Sequence, residues 1–265
     1  MIKDIASLQN SIVKEAAELN LKKYRSQRRE FLVEGVRAVQ EAINSGWELT
    51  AIFFDDTVSG EKISLMLQHN AVSCYHVSRS IIERLTDTKN PQGIVATVKE
   101  QHNSLDDLAD ENGLLLVLDE VRDPGNVGTI IRTADAAGAA GVVLLSACAD
   151  LYSPKVVRST MGSIFHLPII TDVEKNSFCS WCNKENWALW VSSLSGGTSI
   201  YEIKWEEKVA LVMGNEANGV SEDMLKAAKQ KAFIPMQGKA ESLNVSIAAG
   251  VFMFEALHKQ ALATK

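Results

Sequence analysis

The hydrophobic positions of the first hundred residues change their period repeatedly, as they do where short helices and strands alternate. Ile5, Leu8, Ile12, Ala16 and Leu19 recur at helical spacing, so the chain is predicted to open with an amphipathic helix. Strands are predicted at 31–33, 49–54, 73–77 and 94–98, and helices at 37–45, 62–69 and 80–85. This alternation is typical of a small α/β domain that ends near residue 98.

The apolar runs of the second half are continuous and do not alternate with polar residues. Strands are predicted at 114–118, 141–145, 168–171, 188–192, 209–213 and 233–236. Continuous apolar strands are typical of a parallel sheet with helices on both faces. The polar segment 99–112 is predicted to be a linker. The sequence therefore predicts two α/β domains, residues 1–98 and residues 113–265.

An uncharged run between Ser242 and Phe254 predicts one further helix. Ala248 and Gly250 stand in its middle, and the pattern indicates a helix buried on nearly all faces. Such a helix needs a second surface to cover it, so a dimer is expected. The polar residues at its start, such as Asn244, are either simple helix caps or part of a site.

Composition excludes several classes of protein. The 265 residues are 46% hydrophobic, which is enough for a substantial core. The N-terminus lacks the apolar segment of a signal peptide, and no apolar run reaches 18 residues. A soluble, cytoplasmic protein is expected.

The charge distribution is more informative than the net charge of -6. Residues 1–102 carry 13 basic and 13 acidic side chains, whereas residues 103–265 carry 14 and 20. The acidic balance argues against indiscriminate nucleic-acid binding. One basic cluster surrounds Tyr24 and consists of Lys22, Lys23, Arg25, Arg28 and Arg29. It is either an RNA contact, with Arg25, Arg28 and Arg29 as candidates, or a solvated helix end.

The cysteines give a weak signal. Cys179 and Cys182 form a single C-x-x-C, which is compatible with redox chemistry or with half of a zinc site. No second pair stands at zinc-finger spacing, so plain structural cysteines are favoured.

Three polar loops follow apolar strands. The first loop, residues 119–128, has only Gly125-x-x-Gly128 in place of the dinucleotide fingerprint G-x-G-x-x-G, and Arg132 follows on the next helix. An arginine among apolar neighbours needs an anion, either a structural carboxylate or a substrate phosphate. The second loop, residues 214–221, carries Glu216 at the edge where open α/β sheets bind ligands. The third loop, residues 237–244, leads into the apolar helix.

These loops carry a family resemblance. The segments LDEVRDPGNVGTIIRTADAAGA, LVMGNEANGVSEDML and IPMQGKAESLNVSIAAGVFMFEAL resemble, in order, the three motifs of the SpoU (TrmH-type) RNA 2′-O-ribose methyltransferases of the SPOUT class. FLVEGVRAVQEA and NPQGIVATV resemble, less closely, the ribosomal-protein-like substrate-binding domain of the rRNA-modifying branch.

The resemblance implies an enzyme that uses S-adenosylmethionine to methylate a ribose 2′-hydroxyl, with large-subunit (23S) rRNA as the expected substrate. It also implies a C-terminal trefoil knot and a homodimer, with no metal and no membrane partner. The implied cofactor contacts are Gly214, Ile234, Met236 and Leu243. The implied catalytic residues are Asn126, Arg132, Glu216, Ser242 and Asn244.

The identity of the general base stays open at this stage. A neutral arginine at pH 7 costs more than about 7 kcal/mol, so Arg132 is better suited to hold a substrate phosphate and to stabilise a developing alkoxide. Glu216 is the candidate carboxylate base, although it could instead orient Arg132 or the ribose.

Two rival functions remain possible. One is a catalytically silent RNA-binding protein on the same fold, against which the retained polar motif positions argue. The other is a nucleotide-dependent oxidoreductase, against which the missing fingerprint argues.

Overall fold

The computed structural model describes residues 2–67, 72–194 and 196–263. The strands are β1 Ile2–Ile5, β2 Glu30–Glu34, β3 Leu49–Phe54, β4 Ser73–Val77, β5 Ile94–Lys99, β6 Gly113–Leu118, β7 Gly141–Leu145, β8 Ile169–Val173, β9 Ala188–Ser192, β10 Thr198–Ser199, β11 Lys208–Met213 and β12 Gln230–Phe233. The helices are α1 Ser11–Glu18, α2 Lys22–Arg28, α3 Val36–Asn44, α4 Gly60–Leu67, α5 Arg79–Leu85, α6 Pro124–Ala136, α7 Pro154–Ser159, α8 Lys175–Lys184, α9 Glu222–Ala227 and α10 Val245–Ala263. The end of the predicted helix 62–69 lies outside the described residues.

The chain divides into two compact units. The first unit comprises Met1–Gln101 and Asp150–His166, and the second comprises His102–Ala149 and Leu167–Lys265. The predicted domain boundaries stay a prediction, and the units differ from them in two respects. Residues 150–166, with α7, belong to the first unit. Leu108, in the predicted linker, is fully buried in the core of the second unit.

The first unit contains a mixed five-stranded sheet in the order β1-β4-β3-β5-β2. Strands β1, β4 and β3 are parallel, while β5 pairs antiparallel with both β3 and β2. Apolar residues of α1 and α5, such as Val13 and Ile82, are fully buried against this sheet. The unit therefore has its own hydrophobic core.

The predicted helix from Ile5 to Leu19 was wrong at its start. Residues 2–5 form β1, and the helix begins only at Ser11, where the side chain of Asn10 accepts a hydrogen bond from the Ile12 backbone N–H. Strand β1 exists because it pairs with β4, more than seventy residues away, with Ile5 opposite Val77. Local periodicity contains no information on that pairing.

The second unit contains a seven-stranded sheet in the order β10-β12-β9-β11-β6-β7-β8, in which every neighbouring pair is parallel. Every residue of β7 is buried, and β6 and β11 are buried from their second residue onward. These strands are apolar on both sides because the sheet is covered on both faces. The predicted α/β fold with a parallel C-terminal sheet is confirmed.

Strand β12 is shifted from its predicted position at 233–236. It spans Gln230–Phe233, and Ile234 to Met236 belong to the loop that follows. Pro235 has no backbone N–H, so it cannot extend a hydrogen-bonded ladder. This shift moves Ile234 and Met236 from a strand to the cavity described below.

Helix α10 is buried on one side only. Phe252, Met253 and Ala256 are buried, whereas Ile247, Phe254 and Leu257 are 55%, 50% and 42% exposed in the single chain. The prediction of burial on nearly all faces is therefore wrong for the isolated chain, in which an apolar stripe faces outward.

The trefoil knot stays a prediction. Across the described ranges, we find no helix with the length and hydrophobicity needed to cross a lipid bilayer.

Candidate active site

The candidate site lies at one edge of the second sheet. Strands β12, β9, β11 and β6 are neighbours and parallel, so the loops that follow them all emerge at the edge formed by their carboxyl ends. These are the three loops expected from the sequence and one more, which begins at Ser193 after β9. Ligands of open parallel sheets bind at this edge.

A chain of hydrogen bonds joins the three expected loops. Asn244 Nδ2 donates to Asn126 Oδ1 at 3.0 Å, and Asn126 Nδ2 donates to Glu216 Oε1 at 2.8 Å. Asn126 and Glu216 are ninety residues apart in sequence, and Asn126 and Asn244 are 118 apart. The structure thus brings together three of the five predicted catalytic residues.

The direction of this chain is set by the start of α10. Asn244 Oδ1 accepts hydrogen bonds from the Ser246 backbone N–H at 2.9 Å and from the Ser246 hydroxyl at 2.6 Å, so Asn244 is also the helix cap. Because its oxygen already accepts these bonds, Asn244 contacts Asn126 through its amide nitrogen, which can only donate. Because Asn126 accepts this hydrogen bond through its oxygen, its amide nitrogen donates to the carboxylate oxygen of Glu216. Capping and site formation, the two alternatives for Asn244, therefore occur together.

The second loop is closed by its own backbone. Asn215 and Gly219 exchange two backbone hydrogen bonds of 2.9 Å, and Asn215 Oδ1 accepts from the backbone N–H groups of Ala217 and Asn218. A Cβ atom added at Gly214 would lie 2.2 Å from the carbonyl carbon of Gly219. Only glycine fits at position 214, because the two arms of the loop approach too closely for any side chain.

A cavity of about 520 Å³ opens beside the second and third loops. All four predicted cofactor contacts line it, namely Gly214, Ile234, Met236 and Leu243. The lining also includes Glu216, Ser242 and Asn244 of the predicted catalytic set. The volume of the cavity and its combination of apolar and polar lining residues are typical of a small-molecule site.

One wall of this cavity was not predicted from the sequence. Ser192, Ser193 and Leu194, at the end of β9 and beyond, also line it. A signal was present, because Ser193 begins a Ser- and Gly-rich run directly after a buried strand. The same pattern had identified the other three loops.

Arg132 stands apart from the cavity. It lies on α6, exposed to solvent, and within the described part of the chain its side chain has neither an ion pair nor a hydrogen bond. Helix α6 packs against α10, with Thr133 close to Gly250. The structural-carboxylate alternative for Arg132 finds no support among these residues.

The predicted RNA-contact arginines lie in the first unit and differ sharply in exposure. Arg25 is 4% exposed, and its guanidinium donates to Leu19 O at 2.7 Å and to Asp150 Oδ2 at 2.5 Å. The Arg25 side chain is buried and bonded to groups inside the unit, so it does not fit the predicted role in RNA contact.

The side chains of Arg28 and Arg29 are more exposed than that of Arg25. Arg28 bonds to the backbone oxygen of Glu15 and to the carboxylate of Glu18. Arg29 is 68% exposed and lies 3.3 Å from Glu100. Of the three predicted arginines, Arg29 is the one best placed to reach a ligand.

The cysteines have the environment of structural residues. Burial raises the pKa of the Cys179 and Cys182 thiols above their ordinary range. Both thiols therefore stay protonated at neutral pH, whereas redox chemistry and zinc binding need the thiolate. Within the described residues, no group of three or more potential ligands is arranged to hold a metal ion.

Comparison with known proteins matches both halves of the chain. Residues 113–254 match the model of the SpoU rRNA methylase family, and residues 10–96 match the model of the MRM3-like substrate-binding domain. One relative is the 23S rRNA (guanosine(2553)-2′-O)-methyltransferase RlmP of Bacillus subtilis. It is 36% identical over 96% of this chain and 98% of its own length.

Two solved structures resemble the whole chain. An AdoMet-bound rRNA methyltransferase from Sinorhizobium meliloti has a TM-score of 0.87 and 34% identity, covering 97% of this chain and 98% of its own. The SpoU methyltransferase AviRb from Streptomyces viridochromogenes, in complex with AdoMet, has a TM-score of 0.88 and 27% identity, covering 96% and 99%. The match extends across both units and reaches family models, relatives and structures alike, so this chain belongs to the SpoU rRNA methylase family.

Proposed function

We propose that this protein transfers a methyl group from S-adenosylmethionine to the ribose 2′-hydroxyl of a nucleotide in large-subunit rRNA. The observation that carries the proposal is the hydrogen-bonded chain from Asn244 through Asn126 to Glu216 at the rim of the cavity. The predicted enzyme class, activity and cofactor are confirmed at the level of the family, whose relatives include 23S rRNA 2′-O-methyltransferases and AdoMet-bound structures.

The cavity suits the cofactor by its chemistry. Ile234, Met236 and Leu243 provide apolar surface, while the closely folded second loop presents backbone groups around Gly214. Apolar walls with a few fixed polar groups are typical of cofactor sites. When bound, S-adenosylmethionine supplies a methyl group on a positively charged sulfur.

Glu216 is the proposed partner of the ribose. One of its oxygens accepts from Asn126, which fixes the side chain and leaves the second oxygen to accept a hydrogen bond from the 2′-hydroxyl. Glu216 then orients that hydroxyl and is the carboxylate positioned to take its proton. Ser242, which lines the cavity at the third loop, is a proposed hydrogen-bonding partner for the ligands held there.

Arg132 has a separate proposed role. An exposed arginine without a partner among the described side chains is available to an anion, and a guanidinium binds phosphate in a bidentate fork. We assign it to a phosphate of the substrate and to charge stabilisation at the attacked oxygen.

A methylation assay tests the proposed role of Glu216. Glu216→Gln keeps an acceptor for Asn126 but removes the charge, and it should slow transfer to a 23S rRNA fragment by about 100-fold, since a positioned base contributes that much or more. Glu222→Gln, 85% exposed on α9, is the matched control and should be unaffected. Cofactor affinity by calorimetry should change less than about threefold. Wild-type turnover in Glu216→Gln would remove this residue from the site.

The same assay separates the rival functions. A silent RNA-binding protein would bind RNA and cofactor without transferring a methyl group. The oxidoreductase alternative disagrees with the family to which the chain belongs.

The proposed assembly is a homodimer formed through α10. The exposed stripe Ile247, Phe254 and Leu257 recurs along one side of the helix, and a second copy of the chain is its proposed cover. Phe254→Asp should give a folded monomer in ultracentrifugation, because position 254 is half exposed before assembly. Phe252→Asp should instead unfold the chain, since Phe252 is 2% exposed. An unchanged dimer in Phe254→Asp would exclude this surface.

The proposed RNA-capture surface lies in the first unit. Lys22, Lys23 and Arg29 are exposed, and Lys23 Nζ lies 5.5 Å from the centre of the Tyr24 ring. Cations beside an aromatic ring suit phosphate and base contacts together. Because its proposed substrate is ribosomal RNA, the protein's proposed place is the cytoplasm.

A further inference from the structure

The dipeptide Asp119–Glu120 in the first loop holds both ends of the second loop. Asp119 Oδ2 accepts a hydrogen bond of 2.7 Å from the backbone N–H of Ser221, and the backbone oxygen of Glu120 accepts one of 2.8 Å from Asn215 Nδ2. Glu216 lies between these two anchors. The position of its carboxylate therefore depends on the conformation of this dipeptide.

That conformation is costly to maintain. Glu120 has a φ of 58°, in the left-handed region that residues other than glycine rarely adopt. Asp119 has no exposed surface, and a buried carboxylate is expensive without a cation beside it. A third group must compensate both residues.

Lys175 is that group. It is the first residue of α8, and its Nζ lies 3.0 Å from Asp119 Oδ1 and 3.0 Å from Glu120 Oε1. Burial by itself would lower the pKa of Lys175, but the hydrogen bond to Glu120 and the negative charge of Asp119 beside it outweigh burial and raise the pKa overall. The side chain is therefore an ammonium at neutral pH, and it bridges the two carboxylates.

We propose that Lys175 is a positioning residue for methyl transfer, which holds the Asp119–Glu120 dipeptide and through it the loop that carries Glu216. This inference rests on the proposed role of Glu216. Lys175 does not belong to the lining of the cavity, so it acts through the second loop and not by direct contact with the cofactor. A displacement of about 1 Å at a reacting group can lower the rate about 100-fold, so a small shift of the loop is enough.

Replacement of Lys175 tests the proposal directly. Lys175→Met keeps the side-chain length and removes the charge, and kcat per cofactor-binding site should fall about tenfold or more. The KM for RNA should stay within about twofold, which separates positioning from capture. Lys175→Arg, which keeps a cation between the carboxylates, should recover kcat to within about threefold of wild type.

The matched control is on the same helix. Lys184, at the other end of α8, is 73% exposed and pairs only with the neighbouring Glu185 in the described structure. Lys184→Met should leave kcat unchanged. A folded Lys175→Met protein with wild-type kcat would overturn the inference.

A second variant covers the case in which Lys175→Met fails to fold. Combining it with Asp119→Asn removes the buried negative charge together with its cation and keeps an oxygen that can accept from Ser221. This double variant should fold. Its kcat should remain at least about fivefold below wild type, because Glu120 still lacks its contact with the Lys175 ammonium. Full recovery of kcat together with stability would show that Lys175 is merely structural, and would overturn the proposal.

The Glu216→Gln variant distinguishes failure of this inference from failure of the proposed site. If Lys175 acts through Glu216, adding Lys175→Met to Glu216→Gln should slow turnover by less than about twofold more. A fully additive loss would contradict the inference. Slow Glu216→Gln with normal Lys175→Met removes the inference alone, whereas wild-type turnover in Glu216→Gln removes the proposed role of Glu216 and this inference with it.

Discussion

The rim of the cavity in the second unit and the basic segment of the first unit use polar side chains in opposite ways. Asn126, Glu216 and Asn244 come from three loops and bond to one another. Arg25 and Arg28 come from one helix and both bond to the end of α1, and Arg25 also bonds to Asp150 of its own unit. Polar residues that come together from distant positions in the sequence mark a site. Charged residues that are merely adjacent in the sequence include some that only stabilise the fold.

The largest effect should come from Arg25, on stability and not on RNA binding. Arg25→Met leaves Asp150 without its cation and the carbonyl of Leu19 without its donor, and should cost about 3 kcal/mol. Thermal unfolding followed in the first unit would measure this as a lower Tm. Arg29→Met, at an exposed pair, should cost less than about 1 kcal/mol. Equal losses of stability in the two variants would contradict the distinction between a buried, structural Arg25 and an exposed Arg29.

The next effect in size concerns Arg132. Arg132→Ala should lower methyl-transfer turnover about 100-fold, equivalent to about 2.7 kcal/mol, while cofactor affinity stays near normal. Arg132→Lys keeps the charge without the planar fork. If Arg132 clamps a phosphate, the lysine variant should be slow at every pH, and if Arg132 is a base, activity should survive with a shifted pH profile. Near-normal turnover in Arg132→Ala would contradict both roles.

A smaller effect is expected for the exposed cations around Tyr24. Changing Lys22, Lys23 and Arg29 to Glu should raise the KM for RNA about tenfold and flatten its salt dependence, because each lost phosphate contact removes about 0.7 to 0.9 from the slope. Turnover at saturating RNA should hold. Unchanged RNA affinity would leave this segment as a solvated helix end.

The smallest effect should come from His76. Hydrogen bonds with Asp4 and Asp56 raise its pKa, so its contribution to stability is complete below the unfolded pKa of about 6.5 and is lost as the pH rises through the folded value. These groups are largely exposed, and the contribution should stay below about 1 kcal/mol. Unfolding in urea across this pH range, with His76→Gln as the control, would measure it. A change of several kcal/mol would show that surface charge supports the first unit more than expected.

The sequence predicts most of the site because parallel strands impose order on the loops. A run such as β6 or β11 is apolar from end to end, and the polar residues after it must emerge at the carboxyl edge. Loops that follow parallel strands emerge at one edge of the sheet, and these loops converge because β12, β9, β11 and β6 are neighbours. The second loop's Glu216 was placed at this edge on that basis, whereas Asn126 of the first loop was named through the family resemblance.

What the sequence did not predict depends on partners far along the chain. Strand β1 exists through its pairing with β4, and the burial of Arg25 depends on Asp150, 125 residues later. The exposure of Phe254 depends on how α10 packs against α6. No local pattern contains these distances, so a helix, a surface cation and a buried face were the natural expectations.

The closed second loop has a consequence for engineering. Since no side chain fits at Gly214, the cavity wall at that position is backbone and offers nothing to mutate. Enlarging the cavity for a bulkier analogue of the methyl donor therefore has to start from Leu194, Met236 and Leu243, which are 75%, 38% and 36% exposed and can be shortened without opening the core. A glycine, which looks adaptable in sequence, is here the position of the pocket least open to redesign.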